Sequence, residues 1–298
     1  MASLGSKLRT YASPAAWAHG FDSTDKTWLL HLTGGEPSIY PSFADLCEHL
    51  TRKHYLSLNS NLSHRSLDDF AERIDPDRVH FINGSVHYEE RRKRGDLRAF
   101  IERVRRLQRR GFNVLVSLLM TPTMCSVFPE LRDHFASQGL FLIPKMLTGK
   151  YRGRRYPRAY SNDEKAAFTD YLAEARRRYA PVLARMGEPP TIDMLSVNPY
   201  VYKKGKYRGQ MCGSGFNFVG INPDGTVQRC GSGEYLGNIL LETLSLNESP
   251  KRCNTEYCPY FCEKYTSAKF AHSPTGSGRP VRRRMRVVSG GTRVASRV

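Results

Sequence analysis

Trp28-Leu29-Leu30-His31-Leu32-Thr33-Gly34-Gly35-Glu36-Pro37 is the stretch that decides the fold of this chain. An apolar run of strand length ends in two glycines, which let a backbone approach a ligand closely or take positive φ. The glutamate that follows supplies an acceptor for a ligand amine, and the proline stiffens the exit. Directly downstream, Ser42 to Leu50 places Phe43, Leu46, Cys47 and Leu50 on one helical face. A strand, a turn open to a ligand and a helix make the start of a βα unit. Cys47 shares the apolar face and reads as a core thiol.

The alternation continues outward from there. Strand-like runs lie near residues 28, 56, 80, 115 and 142. Between them fall helical patterns at Ser66 to Ile74 and from Asp96 through Leu97, Phe100, Ile101, Val104 and Leu107 to a stop at Gly111. Phe128 to Gln138 reads as a helix stopped by Gly139, after a Thr-Pro-Thr-Met turn that precedes Cys125. Ser161 caps a long helix from Asp163 to about Arg185, with Glu164 as the near-cap acid. Strands alternating with helices predict parallel βαβ units, an α/β fold, with functional loops at the carboxyl ends of the strands.

After Pro190 the character changes: Tyr, Gly and Cys rise, and Phe216 to Ile221 and Thr226 to Arg229 flank an Asp224-Gly225 turn, the signature of a β-hairpin. Three regions are therefore expected: a barrel-like domain over 1–190, a small cysteine-rich hairpin domain over 191–272, and a basic disordered tail over 273–298.

The 298 residues are 40% hydrophobic and 11% aromatic, a globular composition. The longest apolar stretch, Phe112 to Met120, is too short to span a bilayer, and the first twenty residues show no signal-peptide pattern, so no membrane partner and a cytoplasmic location are expected. The formal net charge is +18, with seven arginines and no acid between Ser273 and Val298. A second basic run, Arg91-Arg92-Lys93-Arg94, opens a helical stretch continuing through Arg105, Arg106, Arg109 and Arg110. Such charge suits a polyanion such as RNA or simply a solvated face.

Cysteine placement carries the chemistry. Cys212, Cys230, Cys253, Cys258 and Cys262 group like metal ligands, and four soft thiolates complete either a tetrahedral zinc or a [4Fe–4S] cluster. A fifth is spare or guards the site.

The run from Trp28 to Ser63 resembles the second and third strands of the radical S-adenosylmethionine (SAM, AdoMet) barrel. The resemblance implies that Gly34, Gly35 and Glu36 bind the methionine amino group of SAM, with Pro37 framing the turn. It continues at Phe81-Ile82-Asn83-Gly84-Ser85-Val86-His87-Tyr88-Glu89-Glu90, where the family often carries a Ser and a His-x-Glu. Ser85 and His87 are thereby directed to SAM or substrate, with Asn59 and Asn61 as weaker candidates; a hydrogen-bonded loop histidine is the other reading of His87. Cys212-x12-Gly225-x4-Cys230 and the hairpin beyond resemble the SPASM and twitch auxiliary-cluster domains, which implies one auxiliary [4Fe–4S] cluster here, with zinc as the alternative.

One family element is missing. Radical SAM enzymes hold their catalytic cluster with Cys-x3-Cys-x2-Cys ahead of the glycine turn, whereas residues 1–46 contain no cysteine. The first barrel strand is missing with it, so the expected fold is a partial (β/α)6 barrel lacking its first strand. Loss of strand and triplet together is expected of a chain that begins late. In full-length form the resemblance implies radical chemistry on a peptide or small molecule, with an electron donor such as ferredoxin or flavodoxin. These residues alone are expected to be inactive. The competing expectation is a non-catalytic zinc or iron–sulfur protein that contacts nucleic acid through the basic tail.

Overall fold

The computed structural model describes residues 11–185, 207–231, 233–256 and 291–297. The first half runs α1 (Pro14–Asp22), β1 (Thr27–Thr33), α2 (Phe43–Thr51), β2 (Tyr55–Ser60), α3 (Ser66–Arg73), β3 (Val79–Ser85), α4 (Tyr88–Arg94) and α5 (Leu97–Arg109). Then come β4 (Val114–Met120), α6 (Pro122–Ser137), β5 (Leu142–Met146), the hairpin β6 (Gly149–Tyr151) and β7 (Arg154–Tyr156), α7 (Asn162–Arg178) and α8 (Ala180–Arg185). The remaining strands are β8 (Met211–Cys212), β9 (Phe218–Ile221), β10 (Thr226–Gln228), β11 (Tyr235–Asn238), β12 (Lys251–Arg252) and β13 (Gly291–Arg297).

The five expected strands pair in parallel and in chain order, β1 to β5. Helices cover their apolar face: Phe43 of α2 stacks on Phe70 of α3, and α5 buries Phe100, Ile101, Val104 and Leu107, the stripe that its sequence spacing predicts. Cys47 lies fully buried in this core, and burial pushes its thiol well above the usual range. The capping box at Ser161 forms, with Glu164 reaching back to the Ser161 amide.

Four details differ from the expectations. The α6 helix starts at Pro122, because Thr121 caps Met124 N and proline suits the first helical position, so Cys125 lies in the helix and not after a turn. The long helix past Ser161 ends at Arg178 and is followed by the separate α8. The basic run forms its own helix, α4, ended by Gly95 in the left-handed conformation at φ 70°.

The fourth is the largest. Residues 291–297, expected within a disordered tail, form β13, parallel to β1 on one side and β9 on the other. Five consecutive residues of β1 are buried, so β1 behaves as an interior strand whose backbone groups need partners along both edges. Through β13 the strands β9 to β11, read from sequence as a separate unit, join one nine-stranded sheet with β1 to β5. The rest of the tail, 257–290 and 298, lies outside the described residues.

Arg91 ties three segments together from a nearly inaccessible position. Its guanidinium donates to Val86 O at 2.7 Å, to Asn61 O and to Ser63 Oγ at 3.2 Å. It also lies 4.4 Å from the Phe100 ring centroid and 3.5 Å from Asp96. The Arg91→Met variant removes these donors and leaves carbonyls buried without partners. It is expected to lower unfolding stability by roughly 3 kcal/mol in urea titration; a change within ~0.5 kcal/mol, the range of ordinary surface substitutions, contradicts this role.

Two buried histidines set an acid limit. Burial holds His54 at about 4, against the raising effect of Asp22, and burial together with the charge of Lys145 holds His31 at about 3. Unfolded histidine takes its proton near pH 6.5. Between that pH and the folded values the unfolded chain binds more protons, so stability falls as pH drops from 6.5 towards 4 and 3. His54 Nδ1 accepts from Trp28 N at 3.2 Å, a bond that asparagine can replace. His54→Asn is expected to flatten the decline of the melting temperature over this window; an unchanged slope contradicts the assignment.

Candidate functional site

A cavity of about 350 Å³ opens at the carboxyl ends of β2 to β5, where ligands of parallel α/β sheets bind. Side chains alternate along a strand with a period of two. His31 and Thr33 of β1, Ser57 and Asn59 of β2, Asn83 and Ser85 of β3, and Ser117 of β4 therefore share one face of the sheet. The leucines, isoleucine and valine between them face the helices.

Pairing arranges this polar face in rows. His31 Nδ1 and Ser57 Oγ lie 2.8 Å apart at the bottom. Above them, Asn59 donates to Thr33 Oγ1 at 3.3 Å, and Asn83 Nδ2 donates to Asn59 Oδ1. Ser85 is in register with Ser117 at the next level. Asn83 is 2% exposed, lines the cavity and leaves its Oδ1 without a hydrogen-bond partner. A buried amide oxygen in that state is matched by a ligand donor.

Asn59, Ser85 and His87 all line this cavity. His87 sits at its rim in the left-handed conformation, φ 46° and ψ 53°, at the start of α4. Such a conformation is uncommon for a residue with a side chain and recurs at functional sites. Asn83, Ser117, Thr121 and Lys145 line the cavity as well and were not singled out from sequence. Their signal was the polar residue at every second position of otherwise apolar strands.

The Gly34–Pro37 turn stands beside the cavity, and its residues are not among those that line it. Gly34 takes φ 118°, as a turn glycine does, and Gly35 borders open space. Glu36 caps the short helical turn Pro37–Ile39. Its Oε1 accepts from Ser38 N at 3.2 Å, Ser38 Oγ at 2.5 Å and Ser60 Oγ at 2.6 Å, and its Oε2 accepts from Asn61 N at 2.7 Å. A carboxylate has roughly four lone-pair sites. Four donors of the chain itself thus engage Glu36, and the turn presents Gly34 and Gly35 as exposed backbone.

Of the five clustered cysteines, Cys212, Cys230 and Cys253 are described, while Cys258 and Cys262 lie outside the described residues. Strands β8 and β12 pair antiparallel with Cys212 opposite Lys251, and Cys253 N donates to Gln210 O at 2.8 Å. Cys212 and Cys253 are therefore diagonal neighbours on one face of this ladder. Burial raises the Cys212 thiol above its usual range, with Ser214 and the charge of Arg229 acting in the opposite direction. Two thiols on one face make half of a four-ligand set. Among the described residues, no three His, Cys, Asp or Glu side chains converge to hold a metal ion.

Much of the α5 arginine charge is matched within the fold. Arg103 and Arg106 pair with Asp68, Arg106 and Arg110 pair with Glu72, and Arg105 donates to Gln138 O. Among the described residues, no helix is long and apolar enough to cross a membrane.

No protein-family model and no curated protein matches this chain. Solved structures do. The structure of anSMEcpe with bound AdoMet is 14% identical, with a TM-score of 0.50 over 82% of this chain and 75% of that one. That of anSMEcpe with bound AdoMet and Cp18Cys peptide is 15% identical, again with a TM-score of 0.50, over 80% and 73%. SuiB of Streptococcus suis is 13% identical with a TM-score of 0.50; the match covers 78% of this chain and 58% of SuiB. The likeness is one of fold: an α/β architecture whose five-stranded parallel sheet fits a partial radical SAM barrel.

Proposed function

We propose that the cavity at the ends of β2 to β5 binds SAM and that this chain is a radical SAM-type iron–sulfur protein. The observation that carries the reading is the convergence of Asn59, Ser85 and His87 on one cavity floored by the unpartnered oxygen of Asn83. Support comes from the resemblance around Gly34 to Pro37 and from a fold shared with AdoMet-bound proteins. A volume of about 350 Å³ suits a small ligand, since such sites span roughly 300–1,000 Å³.

In this reading the polar rows orient SAM. Asn83 Oδ1 accepts a hydrogen from it, Ser85 and His87 hold its polar edge, and the backbone of Gly34 and Gly35 lets its amino group approach. Glu36 keeps that turn in place through Ser60 and Asn61. When bound beside SAM, a reduced [4Fe–4S] cluster supplies the electron that cleaves the carbon–sulfur bond. The 298 residues contain no Cys-x3-Cys-x2-Cys to hold that cluster, so on their own they bind SAM without cleaving it. Four of Cys212, Cys230, Cys253, Cys258 and Cys262 hold one auxiliary [4Fe–4S] cluster. The substrate is a peptide or small molecule, and ferredoxin or flavodoxin is the kind of electron donor such chemistry takes.

Anaerobic calorimetry tests the cavity: the chain binds SAM, and Asn83→Ala or His87→Ala weakens binding about tenfold, the equivalent of one hydrogen bond. Absence of binding by a folded chain, or unchanged affinity in both variants, contradicts the reading. Under dithionite the chain is expected to form no 5′-deoxyadenosine, and its appearance overturns the claim of inactivity. Metal analysis is expected to find about four irons and four sulfides per chain; zinc without sulfide would establish the alternative.

A further inference from the structure

Arg229 joins all three described cysteine-bearing segments. It directly precedes Cys230, and its side chain is 7% exposed. Nε donates to Ser214 O at 3.0 Å, two residues beyond Cys212. One Nη2 donates to Lys251 O and to Arg252 O, each at 3.1 Å, the second being the residue before Cys253. Nη1 donates to Glu234 Oε2 at 3.1 Å. Gly215 permits the approach: at φ 88°, a Cβ there would lie 3.0 Å from Arg229 Cγ.

Three of these four acceptors are neutral carbonyls, which bind a cation without cancelling its charge. The only carboxylate in the group, Glu234, is shared: its Oε1 takes Lys251 Nζ at 3.2 Å. Two cations and one anion leave a net positive charge beside the thiols. A lysine ammonium lacks the planar fork that reaches three segments at once.

We propose that Arg229 positions the cysteine-bearing segments and raises the reduction potential of the cluster they hold. This rests on the auxiliary-cluster reading given above. A cluster ligated by four thiolates is anionic, and one-electron reduction adds a further negative charge without breaking a bond. A buried cation nearby stabilises the reduced form more than the oxidised one. Glu234 acts with the opposite sign, by partly neutralising both cations.

The test is a dithionite potentiometric titration of the reconstituted full chain, read by electron paramagnetic resonance, with iron and sulfide measured in each sample. Arg229→Gln is expected to shift the midpoint downward and Glu234→Gln to shift it upward. Arg229→Lys is expected to keep a midpoint closer to wild type than Arg229→Gln while retaining less iron than wild type. Opposed shifts are not the signature of loosened packing, and Glu234 lies near the surface, so its variant reports even if Arg229→Gln fails to hold a cluster. Wild-type protein without iron and sulfide overturns the cluster reading and this inference together. Clusters present in both glutamine variants at the wild-type midpoint, or a Glu234→Gln midpoint that is unchanged or lower, overturn the inference alone.

Discussion

A strand buried along its length must be hydrogen-bonded on both edges, and β1 imposes that requirement on the rest of the sheet. Leu29, Leu30 and Leu32 leave it no solvent-facing side, so an open edge would strand a row of amides and carbonyls. On one side β2 satisfies them and begins the parallel series that ends at β5. On the other, β13 runs in register from Thr27 to Thr33 and carries the sheet on to β9. The cavity and the cysteine-bearing hairpin thereby share one hydrogen-bonded frame.

Within that frame, two buried arginines solve the same local problem. Arg91 binds the backbone beyond β2 and β3, from which Asn61 and Val86 lead to the cavity rim. Arg229 binds the backbone beside Cys212 and Cys253. Loops near functional groups have carbonyls that no ladder satisfies, and a planar guanidinium with five donors reaches several of them at once. Desolvation lowers the Arg91 pKa, against the influence of Asp96, yet guanidinium starts so high that its charge persists.

Much of this was legible in the sequence because it is local. Strand positions followed from apolar runs, α5 from its 3–4 spacing, α7 from Ser161 and Glu164, and the hairpin turn from Asp224-Gly225, where Gly225 takes φ 82°. Asn59, Ser85 and His87 were found through the family resemblance. What escaped depends on register between distant strands. Asn83 reads as one polar residue in a strand until Asn59 and Ser117 are set beside it. Glu36 reads as a free carboxylate until β2 brings Ser60 and Asn61 to it. The composition of 291–297, with two arginines and a glycine, hid a strand whose pairing is set by the edge of β1, since strand formation depends on context more than on propensity.

The central claim is that the polar rows between β2 and β5 form a SAM site. A crystal structure of the chain grown with saturating SAM tests it most directly. The account predicts SAM in that cavity, with a donor of the ligand within hydrogen-bond distance of Asn83 Oδ1 and with Ser85 and His87 in contact. An empty cavity, or SAM bound elsewhere on the molecule, would contradict it.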